Sequence, residues 1–161
     1  MRASKAILLA WMCLTLCIAC KKEAPIAPAP PETLVLPEHF PQSIYSIGAF
    51  SPNSRKVAIG RRLFYDPILS IDSTINCGSC HKQKEGFADQ GAPVSTGIFG
   101  RTGLRNSPTL ANLIWKPLYM MDGGVLSLDL QPIAPITDSH EMGLPLADLV
   151  HRLKQNTSYS D

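Results

Sequence analysis

The sequence predicts an all-α domain of short helices joined by long loops, set behind a leader and an extended tether. Two observations give the fold class. Three stretches carry apolar residues at helical spacing between start and stop residues, and no run alternates apolar and polar side chains as a half-buried strand does. A further observation bears on chemistry: Cys77-Gly78-Ser79-Cys80-His81 sets two thiols and an imidazole within a single short run.

At the amino terminus, MRASKAILLAWMCLTLCIACKKE places Arg2 and Lys5 ahead of an apolar run from Ala6 to Ala19. A basic start followed by a short apolar stretch is the layout of a secretory signal. A membrane anchor needs about 20 apolar residues, more than this run offers. Cys17-Ile18-Ala19-Cys20 resembles a bacterial lipoprotein cleavage site, with small Ala19 just before the acceptor Cys20. Residues 1–20 are therefore expected to be a lipoprotein signal and Cys20 the lipidated residue, with Cys13 and Cys17 leaving with the signal. Residues 21–37, KKEAPIAPAPPETLVLP, are rich in proline and read as an extended tether. The expectation is a periplasmic protein that meets the membrane only through its lipid.

Arg2 and Lys5 are two of 15 basic residues, so loss of the signal leaves 13 against 13 acidic ones. A formally neutral chain lacks the basic stripe that nucleic-acid binding requires. Residues 38–161 are long enough for one small domain with its own core.

The first helix of that domain is expected in NSRKVAIGRRLFYDP, starting at a Ser54 cap, turning Val57, Ile59 and Leu63 inward and stopping before Asp66-Pro67. The second is expected in NSPTLANLIWKP, with Ser107 as N-cap, Pro108 in the first turn and Pro117 as the stop. The third, LPLADLVHRLKQN, sets Leu146, Leu149, Val150 and Leu153 on one face and His151 and Arg152 on the other.

Three readings compete for Cys77, Cys80 and His81. A structural zinc ion wants four ligands, and only the scattered His39, His140 and His151 remain to complete such a set. A redox CxxC pair sits where a strand feeds a helix; here the preceding DPILSIDSTIN reads as loop, and a redox pair has no use for His81. Covalent haem c uses every atom: both thiols add to the haem vinyl groups and the next imidazole meets the iron. Export agrees with it, and the expected fold becomes a cytochrome c-like helical domain with long loops around one covalent haem. Haem c serves electron transfer or peroxide chemistry according to what faces the iron's other side.

Four blocks in order carry a resemblance: IGRRLFYDPILS (Ile59 to Ser70), CGSCHKQKEGFAD, STGIFGRTGLRNSPTLAN and MDGGVLSLDLQPIAPITDSHEMG (Met121 to Gly143). From roughly Phe40 to Asp161 the chain resembles the bacterial diheme cytochrome c peroxidases, and within them the amino-terminal domain at which hydrogen peroxide is reduced. The resemblance implies thioether bonds at Cys77 and Cys80, His81 as proximal iron ligand, Gln131 as the distal glutamine and Glu141 as the distal glutamate. A carboxylate beside the open iron face can carry the peroxide proton, and a neutral amide can hold peroxide by hydrogen bonding. On spacing alone, Glu141 reads as a solvated loop residue and Gln131 as a helix-surface one. Asn106 matches a position that ligates calcium between the family's two haem domains; by itself it is a turn residue before Ser107. His39, His140 and His151 read as surface residues, and Met120, Met121 and Met142 as core or rim residues able in principle to reach the iron.

The sequence departs from the family at several points. Some members carry a histidine that caps the resting iron; Ile98 stands there, and with no lone pair it leaves the distal side open. Met121 replaces a tryptophan thought to pass electrons between haems, Gly124 replaces an arginine, and Pro132 interrupts a helix that relatives continue. One CxxCH is present and the sequence ends at QNTSYSD. The expectation is an incomplete chain whose second haem domain, fed by a small cytochrome c or cupredoxin, is missing. Two other functions stay open. One is a single-haem electron-transfer cytochrome c with methionine as sixth ligand. The other is an oxidase-like relative resembling the diheme enzyme that matures the methylamine dehydrogenase cofactor.

Overall fold

The structure, a computed structural model, describes residues 36–45 and 54–159. The leader, Cys20 and most of the tether lie outside the described residues. Among the described residues no helix is long and apolar enough to cross a membrane.

Among the described residues four α-helices follow in chain order: α1 (Ser54–Tyr65), α2 (Cys77–Cys80), α3 (Ile133–Thr137) and α4 (Leu146–Gln155), with one 3-10 turn between α1 and α2 and three between α2 and α3. No named strand forms among the described residues; three isolated antiparallel bridges, Lys82 with Ala88, Thr96 with Thr102 and Tyr119 with Val125, pinch off loops instead. The all-α expectation holds.

Helix α1 begins at Ser54 and stops before Asp66, as the sequence predicts. Its inward face is shorter than expected: Leu63 and Phe64 are partly buried while Ile59 stays on the surface, 36% exposed. The cause is its attachment, since α1 packs on α2 and on the 3-10 turn Pro67–Leu69 that follows its last residue. Asp66 caps that turn by accepting the Ile68 N–H at 2.9 Å.

The second expected helix does not form. Residues 106–110 form no helix, and one 3-10 turn, Leu113–Trp115, follows a left-handed Asn112. Ser107 is no helix cap, because its hydroxyl meets Ser95 Oγ at 2.8 Å and its carbonyl accepts the Asp89 N–H at 3.3 Å. Thr109 donates to the Gly86 carbonyl at 2.6 Å, and Pro108 already biases Ser107 toward an extended backbone. Long-range polar bonds outweigh the local helix signal here.

Helix α4 forms as predicted but presents a narrower face. Leu149 is buried and Leu153 packs on the core, whereas Leu146 and Val150 remain 47% and 44% exposed. Arg152, expected on the outer side, turns inward and donates to the carbonyls of Ile68, Ser70 and Ile71 at 3.3, 2.7 and 2.8 Å. The planar guanidinium fork can serve several acceptors at once. Residues 128–132 form turns, and Pro132 immediately precedes α3, with its carbonyl accepting the Ile136 N–H at 3.3 Å.

Leu69, Ile136, Met142, Leu144 and Leu149 form the core, with Leu63, Ile75, Cys77 and Leu153 packed around it. Burying an aliphatic side chain contributes about 1.5–3 kcal/mol, so this small cluster fixes α3, α4 and the start of the CxxCH turn together. Residues 36–45 are tied down by Trp115, whose indole N–H reaches the Pro41 carbonyl at 2.8 Å, and by Tyr45, whose hydroxyl meets Asp129 at 2.5 Å.

Candidate active site

Asn76 and Ser79 hold the single turn of α2. The Asn76 N–H donates to Ser79 Oγ at 3.1 Å, and the Asn76 amide ties the turn to the end of α1 through the Tyr65 carbonyl at 3.0 Å. Gly78 is required where α1 and α2 meet, because a Cβ there would lie 2.8 Å from the Tyr65 ring. The turn leaves Cys77 and Cys80 partly buried with free thiols. Burial pushes both thiols above their ordinary pKa, with the Asp89 carboxylate adding to the effect at Cys80. A redox CxxC pair has the opposite property, a thiolate held low.

His81 ends the turn, its N–H bonded to the Cys77 carbonyl at 2.8 Å. Its Nδ1 lies 3.0 Å from the Phe87 carbonyl oxygen. A carbonyl only accepts, so Nδ1 carries the proton and Nε2 keeps the lone pair that an iron needs.

A cavity of about 340 Å³ opens beside His81. Gln131, from the turn before α3, and Glu141, from the turn after it, both line this cavity. These three residues are thus gathered around one space, although His81 is 50 positions from Gln131 and 60 from Glu141 in the numbering. Gln131 donates from Nε2 to the Met120 sulfur at 3.4 Å, a weak acceptor. Burial raises the Glu141 pKa above the usual carboxylate value, and neighbouring Asp138 raises it further.

Ile98 does not face the cavity. It is 2% exposed and lies against Gly143, and its N–H donates to the Glu141 carbonyl at 2.9 Å. Ile98 offers no ligand to that space, since an aliphatic side chain at this point is drawn into the core. Gly97 allows the approach, since a Cβ there would overlap the His140 carbonyl and sit 2.6 Å from that of Glu141.

A family model described as di-haem cytochrome c peroxidase matches residues 54–161, more than half of the chain. The chain belongs to the di-haem cytochrome c peroxidase family. It is 36% identical over 121 residues to the methylamine utilization protein MauG of Methylorubrum extorquens, covering 74% of this chain and 34% of that protein. It is 35% identical over 109 residues to the cytochrome-c peroxidase IdrP2 of Denitromonas iodatirespirans, covering 66% and 29%. The fold matches a solved MauG-like protein associated with microbial copper homeostasis with a TM-score of 0.67 and 31% identity, over 78% of this chain and 37% of that one. The chain spans about a third of the length of the curated relatives it matches.

Membership in the di-haem peroxidase family implies haem c, and the residues present fit it. Two free thiols are separated by two residues, the next imidazole has its Nε2 lone pair available, and a cavity with apolar walls such as Leu110 and Leu113 adjoins that imidazole. Among the described residues no group of three or more His, Cys, Asp and Glu side chains could hold a metal ion, which leaves the zinc reading without a ligand set.

Asn106 is used within the chain. It donates to the Asp89 and Ala92 carbonyls at 2.7 and 2.9 Å and receives the Ser95 hydroxyl at 3.5 Å. Only its Oδ1 is left for calcium, an ion that takes six to eight oxygens. Met142 is a core residue, whereas Met120 and Met121 line the cavity. His39 meets the Phe40 ring edge-on at 5.0 Å between centroids, and His151 is exposed.

Sequence reasoning missed three features of the site. His140, read as a surface residue, is exposed yet lines the cavity beside Glu141, with Nδ1 3.6 Å from Asp138. Its adjacency to Glu141 was the available signal. Arg105 and Asp122 pair at 2.9 Å on the cavity wall, and Lys82 and Asp89 pair at 2.6 Å behind His81. Nothing in the sequence couples those charges, because loop closure alone brings them together.

Proposed function

We propose that this chain is the haem c domain of a cytochrome c peroxidase, reducing hydrogen peroxide to water. The observation that carries the reading is the convergence of His81, Gln131 and Glu141 on one cavity. Cys77 and Cys80 would hold the haem by thioether bonds, and His81 Nε2 would ligate its iron. When bound, the haem would supply redox chemistry able to reduce the O–O bond of peroxide.

The chain's own residues handle the protons. Gln131 gives up its weak bond to sulfur and donates to peroxide, fixing its orientation. Glu141, as carboxylate, takes a proton from the bound peroxide and returns it to the departing oxygen, which leaves as water. A raised pKa suits this role, since a group that must both accept and release a proton works best near the ambient pH. Electrons come from a small cytochrome c or cupredoxin through a second haem domain. Calcium at Asn106 Oδ1, completed by oxygens of that second domain, belongs to the same reading. The leader supports a periplasmic protein anchored through lipid on Cys20.

A second reading rests on the MauG relatives: the same site would use peroxide to oxidise a protein substrate. The electron-transfer alternative would need Met120 or Met121, both on the cavity wall, to bind the iron.

Peroxide reactivity of the haem-loaded, oxidised protein is the test. Covalent haem should survive a denaturing gel and vanish in the Cys77→Ala/Cys80→Ala variant. The ferric protein should be high-spin by electron paramagnetic resonance and react with peroxide without prior reduction. A purely low-spin signal would mean that a residue of the cavity wall, Met120, Met121 or His140, already fills the iron's sixth position, and would favour electron transfer.

A further inference from the structure

The loop from Lys82 to Asp89 is built to aim one carbonyl. Its base is closed by the Lys82 N–H on the Ala88 carbonyl at 3.1 Å, and the Lys82 carbonyl receives the N–H groups of Glu85 and Phe87, both at 2.9 Å. Left-handed turns at Gly86 (φ 67°) and Phe87 (φ 58°) reverse the chain. The Phe87 carbonyl is thereby brought to His81 Nδ1 at 3.0 Å.

A charged pair closes the same loop. Lys82 Nζ lies 2.6 Å from Asp89 Oδ1, and Asp89 is only 5% exposed. Asp89 is itself fixed, its N–H on the Ser107 carbonyl at 3.3 Å and its own carbonyl under the Asn106 amide at 2.7 Å. One end of the loop therefore stands on a fixed post. The other end is the residue directly after His81.

We propose that the Lys82–Asp89 pair is a positioning device for His81, holding the Phe87 carbonyl on the imidazole and so setting the reduction potential of the haem iron. The proposal rests on the haem reading of Cys77, Cys80 and His81. A hydrogen bond from Nδ1–H to a fixed acceptor makes the imidazole a stronger donor to the metal. A stronger donor favours the ferric state and lowers the potential, which the protein tunes through just such partners. Loosening the loop weakens the donor, raises the potential and softens the iron–imidazole bond.

The two charges also act on the iron through space, and the test removes that contribution. Lys82→Met/Asp89→Asn deletes one charge of each sign and leaves the net charge unaltered. In the haem-loaded protein this double variant should show a higher midpoint potential and a lower iron–imidazole stretching frequency in the ferrous resonance Raman spectrum. Lys82→Arg, which keeps a cation on Asp89, should retain the parent values. Gly86→Ala opens the loop by a separate route, straining the φ 67° turn while its Cβ meets nothing within 4 Å; both readouts should move in the same directions. A potential and stretching frequency equal to the parent's in the double variant, with haem covalently attached, would overturn the positioning role and leave the haem reading standing. Absence of covalent haem in the parent would overturn both.

Discussion

Ile98 donates its backbone N–H to the Glu141 carbonyl at 2.9 Å while its side chain lies buried against Gly143. The segment that could have covered the cavity is thus fastened to the turn bearing the carboxylate, and the space beside His81 stays open. An apolar side chain at position 98 serves the core and the placement of Glu141 together.

Ile98→Ala should therefore cost stability, about 2–5 kcal/mol, and Ile98→Val about 0.5–1.5 kcal/mol, as read by urea denaturation. Ile98→His should destabilise rather than ligate, because the imidazole would replace a core side chain that does not line the cavity. A low-spin signal gained by Ile98→His in a protein of parental stability would contradict this packing.

Gly97→Ala should lose about 1–3 kcal/mol, the usual range for overfilling a packed site. The added Cβ meets backbone carbonyls of His140 and Glu141, which cannot swing aside as a side chain does. Peroxide cleavage should slow in the same variant because the Glu141 turn must shift. Unaltered thermal stability would show that the approach is looser than described.

Glu141→Gln should slow the reaction of the ferric protein with peroxide by about 10²-fold or more, with the haem spectrum near normal. In the parent the rate should fall as pH drops through the raised pKa of Glu141, where the carboxylate becomes protonated. Burial is the larger cause of that rise and Asp138 the smaller, so Asp138→Asn should move the acidic limb modestly downward. Stability runs the other way. A carboxyl with a raised folded pKa contributes stability that is fully present below its unfolded pKa and is lost as pH rises through the folded value.

Arg152→Ala should cost about 1–3 kcal/mol by taking the guanidinium donor from the carbonyls of Ile68 and Ile71 and one of two donors from that of Ser70, which keeps the Ser73 N–H at 3.1 Å. Arg152→Lys should recover only part of it, since an ammonium cannot reproduce the planar fork. Full recovery by lysine in chemical denaturation would show that charge alone matters there.

Cys20→Ala should abolish incorporation of labelled fatty acid and leave an unprocessed precursor. Equal labelling of parent and variant would remove the lipid anchor while leaving the haem chemistry untouched.

Helices α1 and α4 were legible because their signals are local: caps, stops and spacing that act within a few residues. The stretch at Ser107 carries equally good local signals and forms no helix, because Ser95, Asp89 and Gly86 take its polar groups. Likewise Arg152 reads as an outward charge on a helical wheel, yet three carbonyls exposed where the chain turns after α1 draw it in.

The sequence by itself determined the all-α class and the cluster Cys77, Cys80 and His81, since the attachment proposed for them needs its atoms within one turn of chain. Family resemblance added Gln131 and Glu141, but their meeting with His81 was decided only by tertiary structure. The core formed by Leu69, Ile136, Met142, Leu144 and Leu149 fixes α3, and the turns at its two ends carry Gln131 and Glu141 to the cavity. The same holds for Ile98, Arg152 and the Lys82–Asp89 pair. Their partners are distant in sequence or brought close by loop closure, and burial rather than local propensity sets the direction each side chain takes.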